Sequence, residues 1–407
     1  MLLGPTLAAV SLTLVDATTA EVRSLPDGRS VALDLSTSPG ALLSVSGRRS
    51  AWSFGYAPRI ALLNVTRDSE LAVFHNAFVG YAWWHKRLRL TAAVNGSFGA
   101  QSVVSARNPA GFPATDAAPP IPGDMTPAPA APPPPADLTS DPFLPQREVL
   151  ETGSVGVSLG LGYQMARRWN LSLGTSYDIS GGVNDSKPLI PLQRTAAGSA
   201  SVGHNLTRRD DLETTLSSAV TDVPDIGSRF LTITLLETWG HRFGRRSNGS
   251  LGAGATYLRA RATRRGAIDN SIQANGSASF SQGFLLSDGA TLTALANVTV
   301  DTGYNQLLGV VGQRVSGTAS LSWERDRTTA SAQWQTSQTL PVNDPSSALS
   351  YGAGVSFGYR VADPFQLTAG GSWSHQVLPD SVAASGASPD QWGAFVGFTL
   401  TLPILGG

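Results

Sequence analysis

The stretch LSYGAGVSFGYRV at 349–361 decides the fold. Leu349, Tyr351, Ala353, Val355, Phe357, Tyr359 and Val361 fall on one parity; Ser350, Gly352, Gly354, Ser356, Gly358 and Arg360 fall on the other. Side chains of a strand point alternately to its two faces, so this segment reads as a strand with one apolar face and one small polar face. The scheme recurs. Phe365, Leu367, Ala369, Gly371 and Trp373 oppose Gln366, Thr368, Gly370, Ser372 and Ser374, and Leu171, Leu173, Thr175, Tyr177 and Ile179 oppose Ser172, Gly174, Ser176, Asp178 and Ser180. In the C-terminal segment, Trp392, Ala394, Val396, Phe398, Leu400 and Leu402 oppose Gly393, Phe395, Gly397, Thr399 and Thr401.

A water-soluble sandwich would turn the apolar face inward and cover its outer face with charge. Here the polar face is Gly, Ser, Thr, Asn and Gln; only 14% of residues are charged, and lysine occurs only at 86 and 187. A membrane barrel inverts the arrangement, with lipid against the apolar face and water against the polar one. About nine to eleven tilted residues suffice to cross the hydrocarbon core. The sequence therefore predicts an all-β protein, a closed antiparallel transmembrane β-barrel. Sixteen segments are counted from residue 51 onward. Two shorter candidates near 28–36 and 41–48 bring the count to eighteen, the preferred number, with sixteen the alternative. Both counts put the termini on the same, periplasmic, side.

Connections alternate between two kinds. Tight, often basic turns occur at 47–50, 85–87, 167–170, 207–211, 244–248, 286–289, 325–327 and 362–364. More variable connections occur at 183–192, 222–228, 303–313, 340–347 and 378–389, with the tight, basic 263–267 on the same side. Short turns of outer-membrane barrels are periplasmic and longer loops external. The Pro-rich segment at 106–148 (PATDAAPPIPGDMTPAPAAPPPPADL within it) does not pair in a sheet, and its flanking strands make it an external loop, either a solvated spacer or a segment folded into the mouth. Residues 1–20 are apolar and end in small residues, so they read as a signal peptide with Ala20 as the cleavage point, leaving 21–407 as one barrel. An ordered N-terminal strand is the competing reading.

Aromatic residues at the ends of the apolar faces (Trp52, Tyr56, Trp83, Trp323, Trp334, Trp373 and Trp392) are expected to form two girdles at the membrane–water interfaces. On the opposite parity, the candidate lumen-lining residues are Arg59, Arg89, Asn95, Asp178, Asn275, Asn297, Asp301, Glu324 and Arg360. Their charges nearly balance and are sparse, which suits neutral or weakly charged polar solutes; a strongly selective pore would carry rings of one sign. The five histidines have no metal-ligand spacing, and no GxSxG elbow stands in a strand–turn–helix setting, so no metal, cofactor or catalytic residue is expected. The absence of cysteine excludes disulfides, and a formal net charge of zero gives no reason to expect nucleic acid.

The hairpins SGRRSAWSFGYAPRIALL at 46–63 and HNAFVGYAWWHKRLRLTAAVNGSFGAQ at 75–101 are similar in style to the porin-like outer-membrane barrels attached to polysaccharide export systems of myxobacteria. The resemblance is architectural, covers about 28–402, and matches no motif position by position, so no functional residue is carried over. It implies an eighteen-stranded conduit for a secreted polysaccharide in the outer membrane of a Gram-negative bacterium, working with a periplasmic export protein. Lipid and lipopolysaccharide are the surrounding partners, and a monomer is expected rather than a trimer. The C-terminus, LTLPILGG, departs from the terminal aromatic residue usual in such barrels; Phe398 is the candidate substitute. A general-diffusion porin and a plugged-barrel enzyme or adhesin are the alternatives.

Overall fold

The structure, a computed structural model, describes residues 9–24, 31–63, 65, 69–102, 149–184, 190–262, 267–287, 289–305, 310–340, 349–377 and 390–405. The Pro-rich segment lies outside these residues. The strands are β1 (Ala9–Ser24), β2 (Val31–Ser46), β3 (Ser50–Tyr56), β4 (Arg59–Leu63), β5 (Glu70–His85), β6 (Leu88–Ser102), β7 (Val149–Ala166), β8 (Trp169–Gly182), β9 (Gln193–Asn205) and β10 (Asp210–Val223). They continue with β11 (Ser228–Arg242), β12 (Ser247–Ala262), β13 (Ala267–Leu285), β14 (Thr291–Asn305), β15 (Val310–Arg325), β16 (Thr328–Leu340), β17 (Leu349–Ala362), β18 (Phe365–Val377) and β19 (Asp390–Leu405).

Each strand pairs antiparallel with its sequence neighbours, and β1 pairs with β19 to close the sheet. β3 and β4 are halves of one strand. Both lie between β2 and β5 in an unbroken register, so the barrel has eighteen staves. The break between them has a simple cause. Pro39 and Pro58 fall opposite one another in that register, and neither has an N–H to give to the ladder.

The expected eighteen strands are present, but the first two are not where the sequence reading put them. The candidates at 28–36 and 41–48 are parts of one strand, β2, which runs straight through Ser38-Pro39-Gly40. Those residues look like a turn, yet two full partner strands hold them extended. The remaining strand, β1, lies in the segment read as a signal peptide. Ala20 is not at a boundary but within the strand, paired with Val396 on one side and Leu35 on the other. The alternation Val10-Ser11-Leu12-Thr13-Leu14 carried that information, masked by the overall apolarity of the segment.

Alternation sorts every stave. Val155, Leu159, Leu235, Leu251, Val355 and Val396 are among the large apolar residues left 53–62% exposed on the outer face. The buried residues Ala32, Leu63, Leu150, Thr152, Phe230, Thr256 and Leu258 have the other parity and face inward. Among the described residues the outer wall carries two acids away from the strand ends, Asp16 on β1 and Glu237 on β11; Asp16 shares the parity of Leu14 and Val22, and accepts a hydrogen bond from Thr37 Oγ1 at 2.8 Å. Gly99 marks a bend. Its φ is +135°, and a Cβ there would collide with the carbonyl oxygen of Val73. Beyond it, β6 leaves β5 and pairs only with β7, and Ala100 packs against the inward cluster Ala61, Leu63 and Ala72.

Closure through β1 is directly testable because the chain has no native cysteine. The variant combining Ala20→Cys with Val396→Cys is expected to cross-link on oxidation and to migrate as a compact species on a non-reducing gel. The pair Ala20→Cys and Val355→Cys, on distant staves, is expected not to.

Candidate lumen and its charged seam

The inward face is built from hydroxyls paired across strands. Ser97–Ser154 (2.6 Å), Ser172–Ser201 (2.5 Å), Ser250–Ser279 (2.7 Å), Thr299–Ser316 (2.6 Å), Ser331–Ser356 (2.7 Å) and Thr19–Ser36 (2.8 Å) are joined by side-chain hydrogen bonds. Each pair joins directly opposed residues, so it is a consequence of register. A one-residue slip would move every member to the lipid face.

All nine residues singled out from the sequence have inward parity, distributed around the wall. Arg59 is on β4, Arg89 and Asn95 on β6, Asp178 on β8, Asn275 on β13, Asn297 and Asp301 on β14, Glu324 on β15 and Arg360 on β17. The structure brings few of them together. Asn95 and Asp178 flank Gly156 in one cross-strand row, and a Cβ on Gly156 would press on both side chains. Asn275 donates to Thr256 Oγ1. Asp301 lies 3.7 Å from Arg314, an inward arginine absent from the sequence selection. Glu324 and Arg360 stand near the tight-turn end, close to Arg325-Asp326 and to the turn after β17.

The densest charge cluster escaped sequence reading. Arg23 Nε donates to Asp34 Oδ2 at 2.7 Å, with side-chain exposures of 1% and 4%. Glu21 is directly opposite Asp34, and Arg59 is within electrostatic reach of both acids. These four residues hold β1, β2 and β4 together where the barrel closes. Glu21 and Arg23 follow the presumed signal peptide directly and Asp34 lies in the short candidate strand 28–36; of the four, only Arg59 was singled out from the sequence. Glu213, also inward on β10, was likewise missed.

Burial is uneven along the lumen. Inward residues near the long-loop end of β2, β4, β5, β7 and β10–β12, including Leu63, Leu150, Val223 and Leu258, are 1–7% exposed.

Of the seven expected girdle aromatics, Trp52, Trp83 and Trp323 lie two residues from the tight-turn ends of β3, β5 and β15. Trp373 and Trp392 are opposite each other toward the other rim. Two depart from the expectation. Trp334 is at the centre of β16, over Ala319 and Ala353, whose small side chains leave room for its indole. Tyr56 is in mid-wall beside the proline pair and hydrogen-bonds His75 at 2.8 Å. All five histidines point outward and sit against aromatic rings, as in Trp169–His204 at 4.0 Å. No metal-binding cluster of three acidic or histidine side chains occurs among the described residues.

A closed barrel with an apolar outer wall and a hydroxyl-lined interior is an outer-membrane β-barrel. Residues 6–277 match the EpsX exopolysaccharide export family, which is more than half of the chain, and the chain belongs to that family. Comparison with curated proteins gives no match. Among solved structures, the chain is similar to Acinetobacter baumannii OccAB2 (9% identity, TM-score 0.49, covering 97% of this chain and 98% of that one). It is also similar to Pseudomonas aeruginosa OpdL (10% identity, TM-score 0.47, 97% and 99%) and to Pseudomonas aeruginosa OpdK with vanillate (10%, 0.47, 97% and 98%).

The buried seam pair should dominate the contribution of lumen charges to stability. Arg23→Met leaves Glu21 and Asp34 opposed with one cation fewer and is expected to cost about 3 kcal/mol. Arg314→Met, at a half-exposed pair, should cost under about 1 kcal/mol. Urea unfolding midpoints in detergent micelles check the difference; equal midpoints would count against a closing role for the seam.

Proposed function

We propose that this protein is the outer-membrane conduit of an exopolysaccharide export system, a passive channel with no catalytic step of its own. The observation that carries the reading is the family match taken together with the chemistry of the inward face. Rows of paired Ser and Thr hydroxyls offer a polyhydroxylated polymer many weak, interchangeable hydrogen bonds. Water offers similar ones, so the net gain per contact is small and the polymer slides without being trapped. Sparse charges of both signs avoid a barrier to neutral or weakly charged sugars. The nine inward residues named above would line this passage, with Arg23, Asp34, Glu213 and Arg314 added.

The tight-turn rim suits a periplasmic partner. It presents exposed arginines at 48–49, 167–168, 208–209 and 245–246 on four of its turns, a discontinuous basic ring that favours an acidic export protein by steering. The outward aromatics near the two rims would anchor the barrel in lipid.

Planar-bilayer recordings of the refolded protein test the reading. Expected are weakly ion-selective openings that are interrupted reversibly when the host's purified exopolysaccharide is added to the periplasmic side. Openings indifferent to the polymer would make the protein a general-diffusion porin. Silent membranes would contradict an open conduit and favour a plugged barrel acting as an adhesin or anchor.

A further inference from the structure

The outer wall carries one patch that neither lipid chains nor the lumen explain. Arg194 on β9, Arg229 on β11, and Arg259 and Arg261 on β12 all have outward parity and are exposed. They form a compact group. Arg194 and Arg229 both face Asp222, and Arg229 directly opposes Arg261. Arg259 is two residues further along the same face. None of the four makes an ion pair among the described residues, with Asp222 or any other acid. Like charges directly opposed on neighbouring strands destabilise a sheet. Among the described residues, no other arginine or lysine occupies the outward face in the long-loop half of the barrel.

Height fixes what this patch meets. Arg229 is 13 residues from the tight-turn end of β11, and Arg259 and Arg261 are 12 and 14 from that of β12. At about 3.3 Å per residue and a tilt near 45°, this places them roughly 28–33 Å above the periplasmic rim. The apolar band of such barrels is about 25 Å tall. The guanidinium groups therefore sit beyond the acyl chains, at the level of the outer-leaflet headgroups. The connections above β10 and β12 are short, so the chain does not lift these residues into bulk water.

We propose that Arg229, Arg259 and Arg261, with Arg194 at the edge, form a binding site for the phosphate groups of a glycolipid in the outer leaflet. Cβ atoms of Arg229 and Arg261 are about 5 Å apart by register, and Arg259 is about 7 Å along the strand, so three planar guanidiniums converge on one phosphate. Arginine is suited to this because its fork matches phosphate oxygens bidentately and stays charged. A phosphate removes the repulsion between Arg229 and Arg261, which gives the barrel a fixed lipid contact on the β9–β12 side. The site rests on the orientation in which the tight turns are periplasmic.

The test uses the full-length protein in detergent and reads lipid adducts by native mass spectrometry. Bisphosphorylated lipid A, dephosphorylated lipid A, phosphatidylglycerol and inorganic phosphate are the probes. The combination Arg229→Gln with Arg261→Gln is expected to weaken bisphosphorylated lipid A binding about tenfold or more, since two charge-assisted contacts are lost. Arg245→Gln with Arg246→Gln, at a tight turn, should leave it unchanged, and dephosphorylated lipid A should bind wild type as weakly as it binds the first variant. Retention of heat-modifiable gel mobility controls for folding. Equal binding by wild type and the first variant would overturn the site. So would dephosphorylated lipid A binding wild type as well as the intact lipid. Preference for phosphatidylglycerol, or for inorganic phosphate over lipid A, would overturn its assignment to an outer-leaflet glycolipid.

Discussion

Everything in this structure depends on the absence of water from the bilayer core. A backbone N–H or C=O left unpaired there costs several kcal/mol, and a sheet satisfies all of them only if its first and last strands meet. In this chain the meeting is β1 with β19, from Leu12 to Arg23 against Leu405 to Gly393. The requirement explains why an N-terminal segment of such mixed character is held as a strand. It also explains why the most buried ion pair, Arg23 with Asp34, stands beside the seam. The constraint tolerates local faults: Pro39 and Pro58 interrupt one ladder without shifting its register, because the partners on either side remain paired.

Closure divides the side chains into two populations with different solvents. Outside, Val, Leu and aromatic residues need only be apolar. Inside, steric limits are tighter, which accounts for much of the high glycine content. Gly156 leaves room for Asn95 and Asp178 on the strands on either side, and Gly203 and Gly240 do the same for Asn170 and Asp211. Small inward residues thus keep the longer polar ones aimed into the lumen and the lining wet. Under the proposed export role, such a wall would accompany a hydrated polymer without holding it.

Much of this was legible in the sequence because period-two alternation is a local signal. The sixteen staves from residue 50 onward, the alternation of turns and loops, and the inward parity of Arg59, Asp178 and Asp301 all follow from it. What failed was non-local. Ser38-Pro39-Gly40 has turn chemistry, but pairing with β1 and β3–β4 overrides it. An apolar start with small residues at its end suits both a leader and a strand, and only β19 decides between them. The charged seam, the hydroxyl pairs and the arginine patch depend on which residues lie opposite one another, and a single strand's sequence does not contain that information. Trp334 shows the same limit: its parity was readable, but its mid-wall position is set by the small residues beside it on β15 and β17.

The central claim is that lipid and water occupy opposite faces of every stave. The lack of native cysteine makes single-cysteine substitution along β17 free of background. In intact proteoliposomes, Gly354→Cys, Ser356→Cys and Gly358→Cys should react with a membrane-impermeant maleimide that enters the lumen. Val355→Cys and Phe357→Cys should be protected from it, and fluorophores attached at those two sites should be quenched by lipid-borne nitroxides. Labelling that alternates with every residue is the predicted result. Uniform labelling, or the inverse pattern with the apolar positions reacting, would contradict the barrel as described.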